Sequence, residues 1–164
     1  MRPTPLPAGP GQESVWSYPR PPRLEPTSRR VRIVHRGVVI ADSRRALRLF
    51  ETSHPPTYYV PPDDVARDHL VPADGSSFCE WKGSARYGSV QVGEVLVASC
   101  AWWYPEPSAP YEALRDHVAF YAAPLDECTV DGVQVVPQPG GFYGGWITPE
   151  LVGPFKGVPG SYGW

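Results

Sequence analysis

The sequence predicts a mainly β protein, with small antiparallel sheets, one or two short helices and irregular segments rich in Pro and Gly at both ends. The 164-residue chain contains 22 Pro and 16 Gly, which interrupt long helices and favour turns and sheet edges. Short runs of β-branched and aromatic residues alternate with turn residues through its middle. Arg36-Gly37 and Asp131-Gly132 each lie between two such runs, as in β-hairpins.

Composition divides the chain into three parts. Residues 1–28 carry eight prolines and are predicted to form a mostly irregular arm, in which Trp16 and Tyr18 dock against the body. Residues 29–136 are predicted to be the β domain. Residues 137–164 combine eight Gly and five Pro with six aromatic residues, and this composition predicts a second arm that wraps around the domain.

The first half of the domain opens with a hairpin of residues 31–35 and 38–41. Asp42-Ser43 favours a helical turn over residues 44–49 that leads into a strand, although residues 46–51 also alternate as a strand would. A strand over 57–60 and a short helix over 63–67 follow.

The second half predicts a turn at Asp74–Ser77 and then strands at 78–82, 85–92 and 95–104. Residues 111–121 are the best helix candidate, but 118–121 would equally suit a strand. Residues 128–136 predict another hairpin around Asp131-Gly132.

Charge and composition exclude several classes of function. The formal net charge is −2, so bulk charge would not attract nucleic acid or an anionic membrane. No apolar run is long enough to cross a bilayer. Three cysteines without a C-x-x-C pair, and no signal peptide, favour a reducing compartment and a cytoplasmic protein.

Motifs of the common cofactor and phosphate enzymes are absent from the sequence. It has no P-loop, no dinucleotide-binding glycine pattern, no H-E-x-x-H and no G-x-S-x-G. Paired acids of the kind that hold magnesium for nucleotidyl transfer are also missing. We therefore predict no cofactor and no metal site.

Two aromatic-rich segments are the main functional indication. Trp81 and Lys82 precede Trp102, Trp103 and Tyr104 by about one hairpin length, so that two strands and a turn would bring them together. Lys82, predicted within a strand, would lie against aromatic surface, where burial lowers the pKa of an ammonium. It would then bind an anion, make a cation–π contact or act as a nucleophile, unless it is an edge lysine that reaches solvent.

Neighbouring strand residues point to opposite faces of a sheet, so Trp102 and Trp103 cannot both enter one core. One of them must line a pocket, be covered by an arm or meet a partner. His54 precedes two prolines that stiffen its backbone, and near Glu51 it would serve as a general base or remain a surface histidine.

Several segments resemble the domain-of-unknown-function family 427 (DUF427), which also carries a nucleotidyltransferase-like label. They are His54-Pro55-Pro56-Thr57-Tyr58-Tyr59-Val60, Cys79-Glu80-Trp81-Lys82-Gly83 and Ala101-Trp102-Trp103-Tyr104-Pro105-Glu106-Pro107. The resemblance covers residues 30 to about 136. Gly140-Gly141-Phe142-Tyr143-Gly144-Gly145-Trp146 resembles the extended actinobacterial form of the family.

The resemblance implies a β-tent-like fold, in which small antiparallel sheets meet at an angle. Some proteins of that fold group bind zinc through two C-x-x-C pairs, which this chain lacks, and the acids expected from the nucleotidyltransferase label are also missing. The resemblance and the residues together give these ligand-binding candidates: Glu51, His54, Tyr59, Trp81, Lys82, Tyr87, Trp102 and Tyr104.

Three functions remain open from the sequence. The first is a small-molecule-binding domain with an aromatic-lined pocket anchored by Lys82 and Glu51. The second is an enzyme of unassigned, transferase-like chemistry that uses the same pocket. The third is a protein-interaction module, or a homodimer, that uses the arms and an exposed tryptophan.

Overall fold

The computed structural model describes residues 2–164 and consists mainly of short strands. The strands are β1 Glu13–Ser14, β2 Arg23–Pro26, β3 Val31–His35, β4 Val38–Ser43, β5 Leu47–Phe50, β6 Thr57–Tyr59, β7 Leu70–Cys79, β8 Gly83–Val92, β9 Val95–Trp103, β10 Val118–Phe120, β11 Glu127–Val130, β12 Val133–Gln134, β13 Val136–Pro137, β14 Trp146–Ile147 and β15 Leu151–Val152. Short 3₁₀ helices span Val15–Ser17, Pro62–Asp64, Arg67–His69 and Ala109–Leu114.

The strands form several small sheets, and none of those in residues 2–164 closes into a barrel. Two sheets have four antiparallel strands, in the orders β12-β11-β3-β4 and β10-β9-β8-β7. A third has the order β2-β5-β6, and the pairs β13/β14 and β1/β15 complete the set, the last being parallel. The predicted fold class, mainly β with small antiparallel sheets and few helices, is confirmed.

Both two-residue hairpin turns lie where the sequence placed them. Arg36 and Gly37 have φ values of 49° and 78°, and Asp131 and Gly132 have 49° and 81°. Positive φ at both central residues is the geometry that matches the twist of the flanking strands. The hairpins β3/β4 and β11/β12 are thereby confirmed, and β11 pairs with β3 to join them in one sheet.

The favoured helical turn at 44–49 is wrong. The chain bends at Arg44-Arg45, and β5 then begins at Leu47. This strand pairs with β2 on one side and with β6 on the other, so its backbone groups are satisfied on both edges. A helical turn would leave those partners unpaired, and the strand alternative is therefore the correct one.

The turn expected at Asp74–Ser77 is instead an irregularity inside the ten-residue strand β7. The register of β7 against β8 shifts between Ala73 and Ser76, and Gly75 has a φ of 92°. A bulge of this kind uses the same residue types as a turn while the strand continues.

The helix expected over 111–121 is confined to the 3₁₀ helix Ala109–Leu114. Asp116 has a φ of 58°, which no helix continues through, and β10 then pairs Val118 with Trp103. The strand alternative for the end of this segment is correct. The short helix expected at 63–67 is replaced by two 3₁₀ helices separated by Val65 and Ala66, and Val65 forms a bridge to Ala41.

The buried apolar residues form three clusters. The first joins the two four-stranded sheets through Ile33, Ile40, Val90 and Phe120. The second joins the sheet β2-β5-β6 to β9, and the third packs residues 15–18 against β5 and β15. Leu49 belongs to the second cluster and the adjacent Phe50 to the third, as strand alternation requires.

Trp102 and Trp103 point to opposite faces of their sheet. Trp102 belongs to the second cluster, whereas Trp103 packs against the first and lies over Gly88, where a Cβ atom would be 2.7 Å from the Trp103 ring. This division places Trp102 on the side of the cavity described next. Separately, no helix in residues 2–164 is long and apolar enough to span a membrane.

Candidate functional site

A cavity of about 370 Å³ opens at the second cluster, and all eight ligand-binding candidates line it. This volume lies within the range of small-molecule sites. The remaining lining residues are Leu49, Pro55, Thr57, Ser77, Phe78, Cys79, Glu80, Tyr121, Gln138, Phe142, Tyr143, Gly144 and Lys156. The wall therefore combines strands β5 to β9 with residues of the C-terminal segment.

Nine of the 21 residues that line the cavity are Phe, Tyr or Trp. Trp102 and Tyr121 have ring centroids 4.7 Å apart, and Tyr59 and Tyr104 are 6.4 Å apart. Tyr87 lies opposite Trp102 in the β8/β9 register, and its hydroxyl donates to Ser77 Oγ at 2.8 Å. Both ring pairs are tilted, with interplanar angles of 48° and 49°.

Lys82 lies in the turn between β7 and β8, not within a strand as the sequence predicted. The turn is held against the segment that follows β9, because the Lys82 carbonyl accepts from the Ser108 N–H at 2.9 Å. Ser108 Oγ also donates to the Trp81 carbonyl. Gly83 has a φ of 104°, and a Cβ atom there would lie 3.2 Å from the Glu106 carbonyl oxygen.

The Lys82 side chain extends from this turn into the cavity, where its ammonium lies 5.5 Å from the centre of the Tyr104 ring. Burial disfavours the charged amine, but the nearby oxygens of Tyr59, Tyr104 and Glu51 and the Cys79 sulfur outweigh it, so the pKa of Lys82 is raised. The expectation of a lowered pKa was wrong. A raised pKa favours the ammonium form of Lys82 over the nucleophilic amine.

Glu51 supplies the opposite charge. One of its oxygens, Oε2, is contacted by Arg20 Nε at 3.3 Å and lies 3.4 Å from His54 Nε2. Burial acts to raise the pKa of Glu51, but His54, Arg20 and Lys82 lower it to about 2. Glu51 is therefore a carboxylate throughout the physiological pH range.

His54 is positioned by Gln138. Gln138 Oε1 accepts from the Gly145 N–H at 3.0 Å, and its Nε2 donates to the Lys156 carbonyl at 2.9 Å and to His54 Nδ1 at 3.0 Å. Because the Gly145 N–H only donates and the Lys156 carbonyl only accepts, the amide cannot be reversed. We therefore assign the neutral His54 proton to Nε2, which faces Glu51.

Lys156 is the second lysine on the wall, and its ammonium already has a partner. Nζ donates to the Trp164 carbonyl at 3.3 Å and lies 5.4 Å from the centre of the Tyr143 ring. Burial and the proximity of Arg20 lower the pKa of Lys156, and Glu51 opposes them. Lys156 is less available to a guest than Lys82, beside which no carboxylate lies within 4.0 Å in residues 2–164.

Sequence reasoning did not identify Tyr121, Gln138, Tyr143 and Lys156 as site residues. The sequence predicts that Gly140–Trp146 belongs to an arm that wraps around the domain. It does not indicate which surface the rings of this run contact. His54 and Tyr143 make an edge-on contact with centroids 4.7 Å apart, and Tyr121 donates to the Phe142 carbonyl at 2.9 Å. These contacts join residues far apart in the chain.

Potential metal ligands form no cluster in the part of the chain that the structure describes. No group of three or more His, Cys, Asp or Glu side chains is arranged to hold an ion there. Cys79 is half-buried on the cavity wall, Cys100 and Cys128 are buried, and none of the three forms a disulfide.

Comparison with known families is consistent with this architecture. Residues 23–131 match the family model labelled NTP_transf_9 and described as a domain of unknown function (DUF427). The match spans more than half of the chain, so the protein belongs to this family, and the resemblance noted in the sequence is confirmed. No curated protein matches the chain. Gln138, Tyr143 and Lys156 lie outside the matched segment, so residues beyond it complete the cavity wall.

Proposed function

We propose that this protein binds a small molecule in the aromatic cavity and holds an anionic group of that molecule at Lys82. The observation that carries the proposal is that Lys82 extends an ammonium without an ion-pair partner into a cavity of about 370 Å³. A ligand carboxylate or other anionic group would form charge-assisted hydrogen bonds with this ammonium.

The surroundings of Lys82 support the same function. The Tyr59 and Tyr104 hydroxyls lie close enough to affect its charge and are potential donors to an anion. Trp81, Trp102 and Tyr121 offer faces on which a planar group would stack.

Fixed charges favour binding over acid–base catalysis at Lys82 and Glu51. A general acid or base works best when its pKa lies near the operating pH. The pKa of Lys82 is raised and that of Glu51 is lowered to about 2, which moves both away from neutrality. The transferase-like alternative would need chemistry supplied by the ligand or by His54.

The test begins with mass spectrometry of small molecules that the natively purified protein retains. Binding of each retained compound is then measured by calorimetry for the wild type, Lys82→Met and Arg86→Met. Arg86 is an exposed cation on β8 that does not line the cavity, so it is a matched control for the loss of one positive charge.

We expect Lys82→Met to weaken binding at least tenfold and Arg86→Met to leave it unchanged. Equal binding by all three proteins would remove the role of Lys82. Absence of any retained or bound anionic compound would reject the proposed function.

A second candidate function is self-association through the rim of the cavity. Phe78 is 76% exposed and Phe142 69% exposed, and both line the cavity mouth. A large exposed apolar patch marks a contact surface, and these two rings would contribute to one if they lie side by side. Sedimentation analysis should then show a dimer that Phe78→Ser with Phe142→Ser dissociates and that Leu96→Ser, which removes an exposed residue elsewhere, does not. A monomer at every concentration would reject this candidate.

A further inference from the structure

We propose that the ligand is a small zwitterion with a ring, whose carboxylate lies at Lys82 and whose ammonium lies at Glu51. This inference rests on the proposed function and specifies the class of ligand. An aromatic α-amino acid is the simplest molecule with these three features.

The anionic end is defined by the ammonium of Lys82 and the hydroxyls of Tyr59 and Tyr104. Lys82 presents several N–H donors, and phenol hydroxyls can donate to the same acceptor. A carboxylate has two oxygens that accept up to four hydrogen bonds, and it would satisfy donors that converge from different elements. Tyr59 is on β6, Lys82 in the β7–β8 turn and Tyr104 just after β9.

The cationic end is defined by the free oxygen of Glu51. Arg20 and His54 both make their shortest contact with Oε2, and Oε1 accepts no hydrogen bond from the residues that the structure describes. Glu51 lines the cavity, and its carboxylate is fixed in the ionised form by the same neighbours. A ligand ammonium would bind Oε1 without displacing either existing partner.

The two charged groups are kept apart within one cavity. Lys82 Nζ and the Glu51 carboxylate do not form an ion pair within 4.0 Å, although each affects the charge of the other. A guest with a single negative charge would be repelled by Glu51, and one with a single positive charge by Lys82 and Arg20. A molecule carrying both charges meets a favourable partner at each end.

The ring of the guest would extend from the carbon that carries both charged groups into the rest of the cavity. Trp81, Trp102 and Tyr121 line the cavity, so a planar ring would lie against aromatic side chains there. The other cation on the wall, Lys156, is engaged by the Trp164 carbonyl and does not compete for the carboxylate in this arrangement.

The experiment uses the full chain and three sets of probes matched by ring. There is one set for each of the phenyl, phenol and indole rings. Each set contains the amino acid, the corresponding amine, which lacks the carboxylate, and the corresponding 3-arylpropionate, which lacks the amino group. Binding is measured by calorimetry at neutral pH for the wild type, Lys82→Met, Glu51→Gln and Arg20→Met. Thermal unfolding of every variant verifies that it is folded.

We expect at least one amino acid to bind tenfold or more tightly than both of its singly charged counterparts. In Glu51→Gln, the amino acid should no longer bind more tightly than the propionate. In Lys82→Met, it should no longer bind more tightly than the amine. Arg20→Met is the matched control, because Arg20 is one of the two contacts of Oε2 and does not line the cavity. It should keep or increase the preference for the amino acid.

Four outcomes would overturn the inference. If a propionate binds as tightly as the amino acid with the same ring, the inference of a zwitterion is wrong, but the proposed binding of an anion at Lys82 stands. Loss of the preference in Arg20→Met as well as in Glu51→Gln would show that the effect is structural. In another outcome, none of the nine probes binds, but a retained anion without an amino group binds and loses affinity in Lys82→Met. The inference of a zwitterion is then wrong, whereas the proposed anion site stands. If no anion binds at all, both proposals fail.

Discussion

The charge state of a cavity residue in this protein depends on neighbours that the local sequence does not reveal. Lys82 and Lys156 are the two lysines of the chain, and both line the same cavity. Oxygens and a sulfur around Lys82 raise its pKa, whereas burial and Arg20 lower that of Lys156. The pKa values of two lysines in the same cavity are thereby shifted in opposite directions.

Amine labelling as a function of pH should resolve this difference. A raised pKa leaves less free amine at a given pH, so the labelling rate of Lys82 should reach half its maximum above the ordinary lysine value of about 10.4. Labelling of Lys156 should reach that point below the ordinary value. Peptide mapping by mass spectrometry separates the two sites, and coincident profiles would contradict the prediction.

Glu51 should make stability depend on pH in the acid range. Its pKa falls from an ordinary 4.5 to about 2 on folding, so its contribution is complete above 4.5 and is lost as the pH falls through 2. At neutral pH Glu51→Gln should lower the free energy of unfolding by at most about 3 kcal/mol. The difference from the wild type should shrink between pH 4.5 and 2.

Urea unfolding at a series of pH values measures this difference directly. The matched control is Glu106→Gln, which removes the same charge from an exposed position outside the cavity. A pH-independent difference for Glu51→Gln would show that the lost stability comes from packing and not from ionisation.

The candidate residues nearest one another in sequence were predictable, and the distant ones were not. Trp81 and Lys82 directly precede the hairpin β8/β9, Trp102 lies on it and Tyr104 directly follows it. The pairing of this hairpin follows from turn residues and alternation. Gln138 reaches His54 across 84 positions of the chain, and no periodicity encodes such a contact. The ligand-binding role of all these residues remains a prediction.

At the level of elements, the sequence predicted strands where turn chemistry defined both ends. The hairpins around Arg36-Gly37 and Asp131-Gly132 are examples, because positive φ at both residues admits few alternatives. Residues 44–49 were mispredicted because pairing of β5 with two neighbours outweighed a local capping preference. The bulge near Gly75 was mistaken for a turn because both use Gly at positive φ.

The segment Gly140–Trp146 illustrates how an irregular element is fixed by close contact. At Gly144 an added methyl group would overlap the Trp102 ring, so the absence of a side chain lets the segment lie flat on this part of the cavity wall. We expect Gly144→Ala to destabilise the protein by about 1–3 kcal/mol, the usual cost of overpacking, because the ring or the segment must move.

Chemical denaturation combined with tryptophan fluorescence would detect both the loss of stability and the displaced ring. Gly163→Ala is the matched control, since a methyl group there meets no atom within 4 Å and no positive φ is involved. If both substitutions have the same small effect, the segment is not held against Trp102.

On the scale of the whole molecule, the two ends of the chain pack against each other. β1 pairs with β15, Leu6 N–H donates to the Gly153 carbonyl, and Trp16 Nε1 donates to the Pro154 carbonyl at 2.7 Å. The Trp16 and Trp164 rings are 5.5 Å apart. Because Lys156 and Gln138 belong to the same C-terminal part, the N-terminal arm supports one wall of the cavity indirectly.

Deletion of residues 1–18 should therefore destabilise the whole protein and not only its N-terminal end. The deletion removes Val15, which is fully buried, and Tyr18, and it uncovers Phe50 and Leu151 in the third cluster. Two buried side chains of this size contribute about 3–6 kcal/mol, which corresponds to a fall of roughly 10–20 °C in Tm for a chain of this length.

Differential scanning calorimetry of the deleted protein measures that fall. Deletion of residues 1–5 is the control, because it stops short of the Leu6 contact and removes no member of the third cluster. A Tm unchanged by the longer deletion would mean that the C-terminal segment holds its place without the N-terminal arm. An equal fall in both deletions would place the stabilising contacts before Leu6, contrary to the packing around Val15.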